Sequence, residues 1–383
     1  MNILIVGNGF DLAHGLPTKY EHFLMFLTLA EEMYNSGDES VFKSYGFRHS
    51  HEYIKSYLME MSKSKGKLEN IMNLITNNVW FRYFKYVLEG NYNIGKDWID
   101  FESEIRKIVE FFDRQTSDIY AVVKRPGERH PEIDQFYSIY LGCVSLDYKT
   151  TYKDFIDKTY YDLLRLTDCL EFYLRRCVDR VTKFGENSTC RLRSPDIMDI
   201  GAHAVLSFNY THTFEHFYIR GNRTAKLHFI HGDIYSGASN KGNDMVLGVN
   251  EYWDGDEKDV RVNFNLFKKF VQRIIKDTGI EYKKWLDKEW LYYSEYNTDE
   301  NFVYIFGHSL DVTDKVVLSE IIKSEVITST TIFYRDKQQQ AGQIANLSKI
   351  LGQNTLLEYV NSVNPKIIFK KQQDMVSIPD EKE

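Results

Sequence analysis

His231 is the residue best suited by type to move a proton in this sequence, because imidazole titrates near neutral pH and its neighbour Gly232 leaves room for a substrate. The alternative is a histidine satisfied inside the fold. Asn209, in the run Ser207-Phe208-Asn209-Tyr210-Thr211, carries a short amide that both donates and accepts, which suits a ribose hydroxyl or a water; asparagine is also a common turn residue. Near the start stands Gly7-Asn8-Gly9-Phe10-Asp11, where a Gly-x-Gly loop lets backbone approach a phosphate and turns N–H groups toward the anion. The third glycine of the dinucleotide fingerprint is missing at its spacing, and Asp11 brings negative charge where a pyrophosphate would lie. A structural turn therefore explains the loop equally well. Gly307, His308 and Ser309 form a late counterpart that suits a ribose or phosphate, although Ser309 would also serve as a helix cap. His14 is read as a bystander.

Four apolar runs must position these residues. Ile3-Leu4-Ile5-Val6 is a continuous aliphatic run, the pattern of a strand buried on both faces of a parallel sheet. Ala204–Phe208, Leu227–Ile230 and Val303–Phe306 are similar, and each stops at the small or polar residues named above. In an open parallel sheet the carboxyl ends of the strands line the ligand crevice, so all four stops are expected to converge there, with Asn209 and His231 reaching one ligand. Asp311 to Asp314 offers capping side chains for a helix carrying Val316, Val317, Leu318, Ile321 and Ile322, and Thr331–Tyr334 reads as a further strand. The last dozen residues read as frayed.

Between these segments, residues 36–195 carry helical periodicity and no alternating strand. Ile156, Tyr160, Leu163, Thr167, Leu170, Leu174, Cys177, Val181 and Phe184 alternate spacings of four and three, the seam of one long amphipathic helix that packs structurally. The expected architecture is α/β: a Rossmann-like parallel sheet built from residues 1–35 and 196–383, interrupted by a helical insertion over 36–195. A length of 383 residues exceeds what one compact core usually holds, which fits such an insertion.

Composition excludes several classes. A net charge of -7 argues against a nucleic-acid coat or a membrane-surface protein. The basic residues Arg175, Arg176, Arg180, Lys183, Arg191 and Arg193 are read first as a solvated face. No apolar run approaches the roughly 20 residues of a membrane span, and no secretory leader is recognisable, so a cytoplasmic protein is expected. Cys143, Cys169, Cys177 and Cys190 lack the C-x-x-C spacing of a zinc site; reduced thiols and no metal are expected. The acidic segment Asp254, Asp256, Glu257 and Asp259 does not match a calcium loop and reads as a turn.

The order of the segments "VGNGFD", "SFNYT", "IHGD" and "FGHSL" resembles a sirtuin-like NAD-binding core. The longer segments "GNGFDLAHGLPT", "WIDFESEI" and "GHSLDVTDK" are similar to those of the AbiH-like bacteriophage abortive-infection family. The resemblance implies an anti-phage effector that hydrolyses NAD+ at the nicotinamide–ribose bond, an NAD+ glycohydrolase. His231 would be the base and Asn209 would sit at the nicotinamide ribose. Gly7, Asn8, Gly9, Phe10 and Asp11 would form the phosphate-side loop, and Gly307, His308 and Ser309 would lie near the adenosine-side ribose. Two positions depart from the pattern: Thr211 stands where such proteins have Asp, and Asp11 where they have Ser. The zinc cysteines of deacetylating sirtuins are absent, which places NAD cleavage ahead of deacetylation. The implied partners are NAD or a related adenine nucleotide and a phage-derived trigger, with a homo-oligomer left open and neither membrane nor nucleic acid expected. A non-catalytic nucleotide sensor and an RNA-directed nuclease toxin remain the alternatives.

Overall fold

The computed structural model describes residues 1–37, 52–63, 65–90, 100–114, 131–144, 151–180, 192–219, 224–235, 243–252, 263–294 and 300–377. Six strands form one sheet: β1 (Asn2–Val6), β2 (Ala204–Ser207), β3 (Lys226–Phe229), β4 (Phe302–Phe306), β5 (Ser329–Tyr334) and β6 (Ile367–Lys371). Their spatial order is β3-β2-β1-β4-β5-β6 and every neighbouring pair is parallel. This is the strand order of doubly wound dinucleotide-binding sheets, whose connectivity reverses between the first and fourth strands. The expected Rossmann-like α/β class is what the chain adopts.

The aliphatic runs become strands because both of their faces are covered. Ile3, Ile5, Ala204, Leu206, Val303, Ile305 and Ile332 face one core with Leu310, Val317, Leu318, Ile321 and Ile322. Leu4, Val6, Val205, Phe306 and Phe333 face the other with Phe10, Ile197 and Ile200. The helices that matter for the site are α1 (Asn8–Ala13), α2 (Pro195–Ile200), α3 (Thr213–Tyr218) and α4 (Lys315–Lys323). In α4 the expected Val317, Leu318, Ile321 and Ile322 are buried, whereas Val316 is exposed.

Two features depart from expectation. The final strand, β6, has no counterpart in the apolar pattern because its burial is confined to Ile367 and it forms the sheet's edge. The carboxyl-terminal tail is also tied down as far as Ser377. Val376–Ser377 pairs antiparallel with Leu192–Arg193, and Gln373 donates to Asp196 through its backbone N–H (2.7 Å) and its side chain (3.0 Å).

The chain divides into two compact units. One, the sheet unit, comprises Met1–Pro17, Val178–Ser236 and Asp277–Glu383; the other comprises Thr18–Cys177 and Gly237–Lys276. The breaks fall after residues 17, 177, 236 and 276, whereas the expected ones lay at 35 and 195 with 196–383 kept whole. The helix Tyr20–Ser36 goes with the helical unit because Phe23 and Phe26 pack on Tyr173, with ring centroids 5.7 and 5.1 Å apart. Phe84 and Phe101 stack at 4.0 Å in the same aromatic core. Asp100 begins the helix Phe101–Asp113 by accepting from the N–H groups of Glu102 and Ser103, which accounts for the "DFES" part of the family-like segment; Trp98 and Ile99 lie outside the described residues. The long seam is a helix over Tyr152–Tyr173 that continues into a π-type turn at Leu174–Val178. Val181, Phe184, Lys183, Arg191, Cys190 and the acidic segment at 254–259 lie outside the described residues. Cys169 and Cys177 are buried free thiols.

Candidate functional site

At the switch between β1 and β4 the two glycine loops meet. Gly7 donates its N–H to the Phe306 carbonyl (3.3 Å) and Gly9 donates to the Gly307 carbonyl (2.7 Å). A Cβ on Gly7 would come within 2.9 Å of His308, and one on Gly9 within 2.7 Å of the Gly307 carbonyl oxygen. Gly307 itself has φ +67° and sits where a Cβ would be 2.1 Å from the Phe10 nitrogen. Close approach of one loop to the other is therefore sufficient reason for these glycines, and both N–H groups are engaged within the protein. Asn8 is exposed, as is Ser309; Phe10 is buried against His14, Tyr218 and Phe306.

The predicted residues sort onto the two faces of the sheet. On the α1–α3 side, Asn209 donates from Nδ2 to the Gly7 carbonyl (3.0 Å) and is fixed by reciprocal bonds between its backbone and the Ser207 hydroxyl (3.0 and 3.1 Å). The Thr211 hydroxyl donates to Asp11 Oδ2 at 2.5 Å, and the Thr213 hydroxyl donates to Thr211 at 3.1 Å. The two positions that depart from the sirtuin-like pattern thus bond to each other. Asp11 is 1% exposed, and burial pushes its carboxyl up to about 6 against the opposing hydrogen bonds of Thr211, Thr213 and Asn209. These side chains, with Val6, Phe10, Val205, Leu227, Phe229 and Glu215, line a shallow recess that encloses about 10 Å3, the room of one water.

On the α4 side, His231 and His308 flank one carboxylate. Nε2 of His231 is 3.4 Å from Asp314 Oδ1, and Nε2 of His308 is 3.5 Å from Asp314 Oδ2. Phe208 sets its ring edge against both imidazoles, with centroids 5.6 and 4.5 Å away. His308 is oriented by accepting the Leu310 N–H at Nδ1 (2.9 Å), and Leu310 takes the left-handed φ of +57°. Asp314 was legible only as a cap. It does occupy the position before α4, yet its side chain makes no capping bond, and the carboxylate serves the histidines instead.

A third group lies at the same edge. His212 sits between Glu215 and Asp233, 3.2 Å from the latter. Burial works against its charge, but the hydrogen bonds and negative charges of Asp233 and Glu215 outweigh it and push the imidazole up to about 9. His14 is the opposite case. Burial drives it down to about 4, so it is neutral near pH 7. With Nδ1 as the donor, it bonds the Phe10 carbonyl (2.7 Å) and receives the Tyr218 hydroxyl at Nε2 (2.8 Å). It holds α1 to α3 and is a structural residue.

Among the described residues no cluster of His, Cys, Asp and Glu has the arrangement of a metal site, and no helix is long and apolar enough to cross a membrane. Arg175 is ion-paired with Glu171 at 3.3 Å. No curated protein and no solved structure matches this chain. Residues 3–336 match the family model described as bacteriophage abortive infection AbiH, so the chain belongs to the AbiH family of bacteriophage abortive-infection proteins.

Proposed function

We propose that this AbiH protein is an abortive-infection effector that hydrolyses NAD+ at the bond between nicotinamide and ribose. The observation that carries the reading is the strand order. A β3-β2-β1-β4-β5-β6 parallel sheet directs its ligand crevice to the carboxyl edge at the β1/β4 switch, and the polar and titratable groups of the sheet unit gather along that edge. A nicotinamide ribose seated at the switch would lie between Asn209 and His231, which approach the strand ends from the two sides of the sheet.

In the reaction, the C1′–N bond breaks with its electron pair going to the nicotinamide ring, which leaves neutral. Positive charge develops on the ribose as in glycoside cleavage, and water adds at C1′. Because the leaving group needs no proton, the protein's tasks are to hold the sugar and to remove a proton from water. Asn209 suits the first and His231 the second. The carboxylate of Asp314 stabilises the imidazolium formed when His231 takes the proton, and a positioned base is worth about 10² to 10⁴ in rate.

The test supplies purified protein, with and without phage-infected lysate, with NAD+, ATP or RNA, and measures free nicotinamide. His231→Ala should abolish nicotinamide release and phage-dependent growth arrest while thermal unfolding stays close to that of the parent. A folded His231→Ala protein that still depletes NAD+ and protects cells like the parent would overturn the assignment of the base. Cleavage of ATP or RNA without nicotinamide release would overturn the substrate.

A further inference from the structure

His212 takes no part in the reaction just described, yet its side chain ties together the two turns that carry the proposed groups. Its backbone belongs to the turn that follows β2, holds Asn209 and leads into α3. Its ring lies on the neighbouring strand and turn instead. It stacks on Phe229, the last residue of β3, with centroids 4.5 Å and planes 27° apart, and it meets the edge of Tyr235 at 4.7 Å. Nε2 is 3.2 Å from Oδ1 of Asp233, the second residue after His231, and Nδ1 faces Glu215 of α3.

Two main-chain bonds anchor the His231 turn. Gly232, at φ +75°, donates to the Phe229 carbonyl (3.1 Å), and Ile234 donates to the Tyr210 carbonyl (3.1 Å). Asp233 lies between them and accepts the Tyr235 N–H at 2.6 Å. A rotation at Gly232 would carry His231 out of register with Asn209, and a misplacement of about 1 Å costs on the order of 10²-fold in rate. Charge decides how firmly His212 resists it. The groups around His212 are Glu215 and His216 from α3 and Asp233 and Tyr235 from the turn; Asp179 stands behind them, 3.0 Å from His216 and bonded by the Tyr235 hydroxyl. Burial favours a neutral His212 ring, but the bonds and charges of Asp233 and Glu215 prevail and keep it protonated up to about 9. Above that pH both carboxylates face an uncharged ring, and the attraction that holds the turn is lost.

We propose that His212 is a positioning residue: as an imidazolium paired with Asp233 and Glu215, it locks the turn bearing His231 to the turn bearing Asn209. This rests on the assignment of Asn209 and His231 to one ligand, and it adds the residue that keeps them in register.

The experiment follows the imidazole carbon resonances of the full chain labelled with [13Cε1]histidine from pH 6.5 to 10.5. His212→Gln and His231→Gln assign the two signals, and every variant is first checked by thermal unfolding. In the parent, the His212 signal should titrate near 9 and the His231 signal should move in the same step. His212→Gln should show already at pH 7.5 the His231 shift that the parent reaches above pH 10. His212→Arg keeps a charge that reaches both carboxylates and should hold the parent's His231 shift with no step. Asp233→Asn should draw the His212 titration down toward the ordinary histidine range and displace the His231 signal at pH 7.5; it is the second test if His212→Gln does not fold. Nicotinamide release should lose about 10- to 100-fold in kcat in His212→Gln with KM little changed. A His231 signal indifferent to the His212 titration, unmoved in His212→Gln, or displaced equally in His212→Arg would each overturn the proposal. A parent that shows the coupled step but releases no nicotinamide from NAD+ would overturn the hydrolase and leave this lock standing.

Discussion

Asp11 carries a cost that its environment makes visible. Its carboxyl titrates near 6 in the folded chain against 3.8 in an unfolded one, because burial penalises the charge more than its hydrogen bonds repay. A raised acid contributes stability that is fully present below the unfolded value and is lost as pH rises through the folded one. At pH 7.5 the parent therefore bears the whole penalty, on the order of 3 kcal/mol for about two units. Asp11→Asn keeps an acceptor for Thr211 and removes the charge. Its melting temperature should exceed the parent's at pH 7.5, with the gap closing by pH 4; equal gaps at both values would sink the account. Asn209 and His231 were readable in the sequence as strand-end polar residues. Asp314 was readable only as a cap, since nothing in spacing reveals that two histidines 77 positions apart will flank it.

At the scale of elements, the glycine loops show why a motif can be found correctly and still be explained two ways. Phosphate binding and close loop packing both require a residue without a Cβ, so the sequence "GNGFD" cannot distinguish them. The structure supplies the second reason: Gly9 lies against the backbone of Gly307, which has no room to give. Gly9→Val should therefore lower stability itself, by about 1 to 3 kcal/mol or more as overpacking does, and not only ligand affinity. Denaturant unfolding of the variant without ligand is the measurement, and a parent-like midpoint would show that the loop has slack. The buried strands were legible because both faces are apolar. Strand β6 was not, because an edge strand ending in Lys370 and Lys371 shows only one buried position. Such lysines protect an open edge from pairing with another chain, and Lys370 also meets Asp196 at 2.9 Å.

For the molecule as a whole, helical periodicity marked residues 36–195 but gave no sign that 18–35 and 237–276 join the same unit. The helix Tyr20–Ser36 has the same amphipathic signature whichever core it joins, and only its aromatic partners decide. The sheet unit is consequently stitched from three distant segments, with β1 pairing to β2 and β4 in register Ile3 to Ala204 and Ile3 to Val303. A chain ended at Glu300 lacks β4, β5 and β6 and leaves one edge of β1 unpaired. It should lose the cooperative unfolding and protease resistance of the sheet unit. Retention of both would mean that β1 to β3 suffice.

The same pairing has a consequence for biosynthesis. Gly7 leaves the ribosome some 300 positions ahead of Gly307 and Asp314, which complete its surroundings. At about 5 to 20 residues per second that interval is roughly 15 to 60 seconds. Throughout it, β1 has no β4 to pair with and the β1/β4 crevice does not exist. A nascent chain therefore lacks the β1/β4 crevice until β4 has been synthesised and paired.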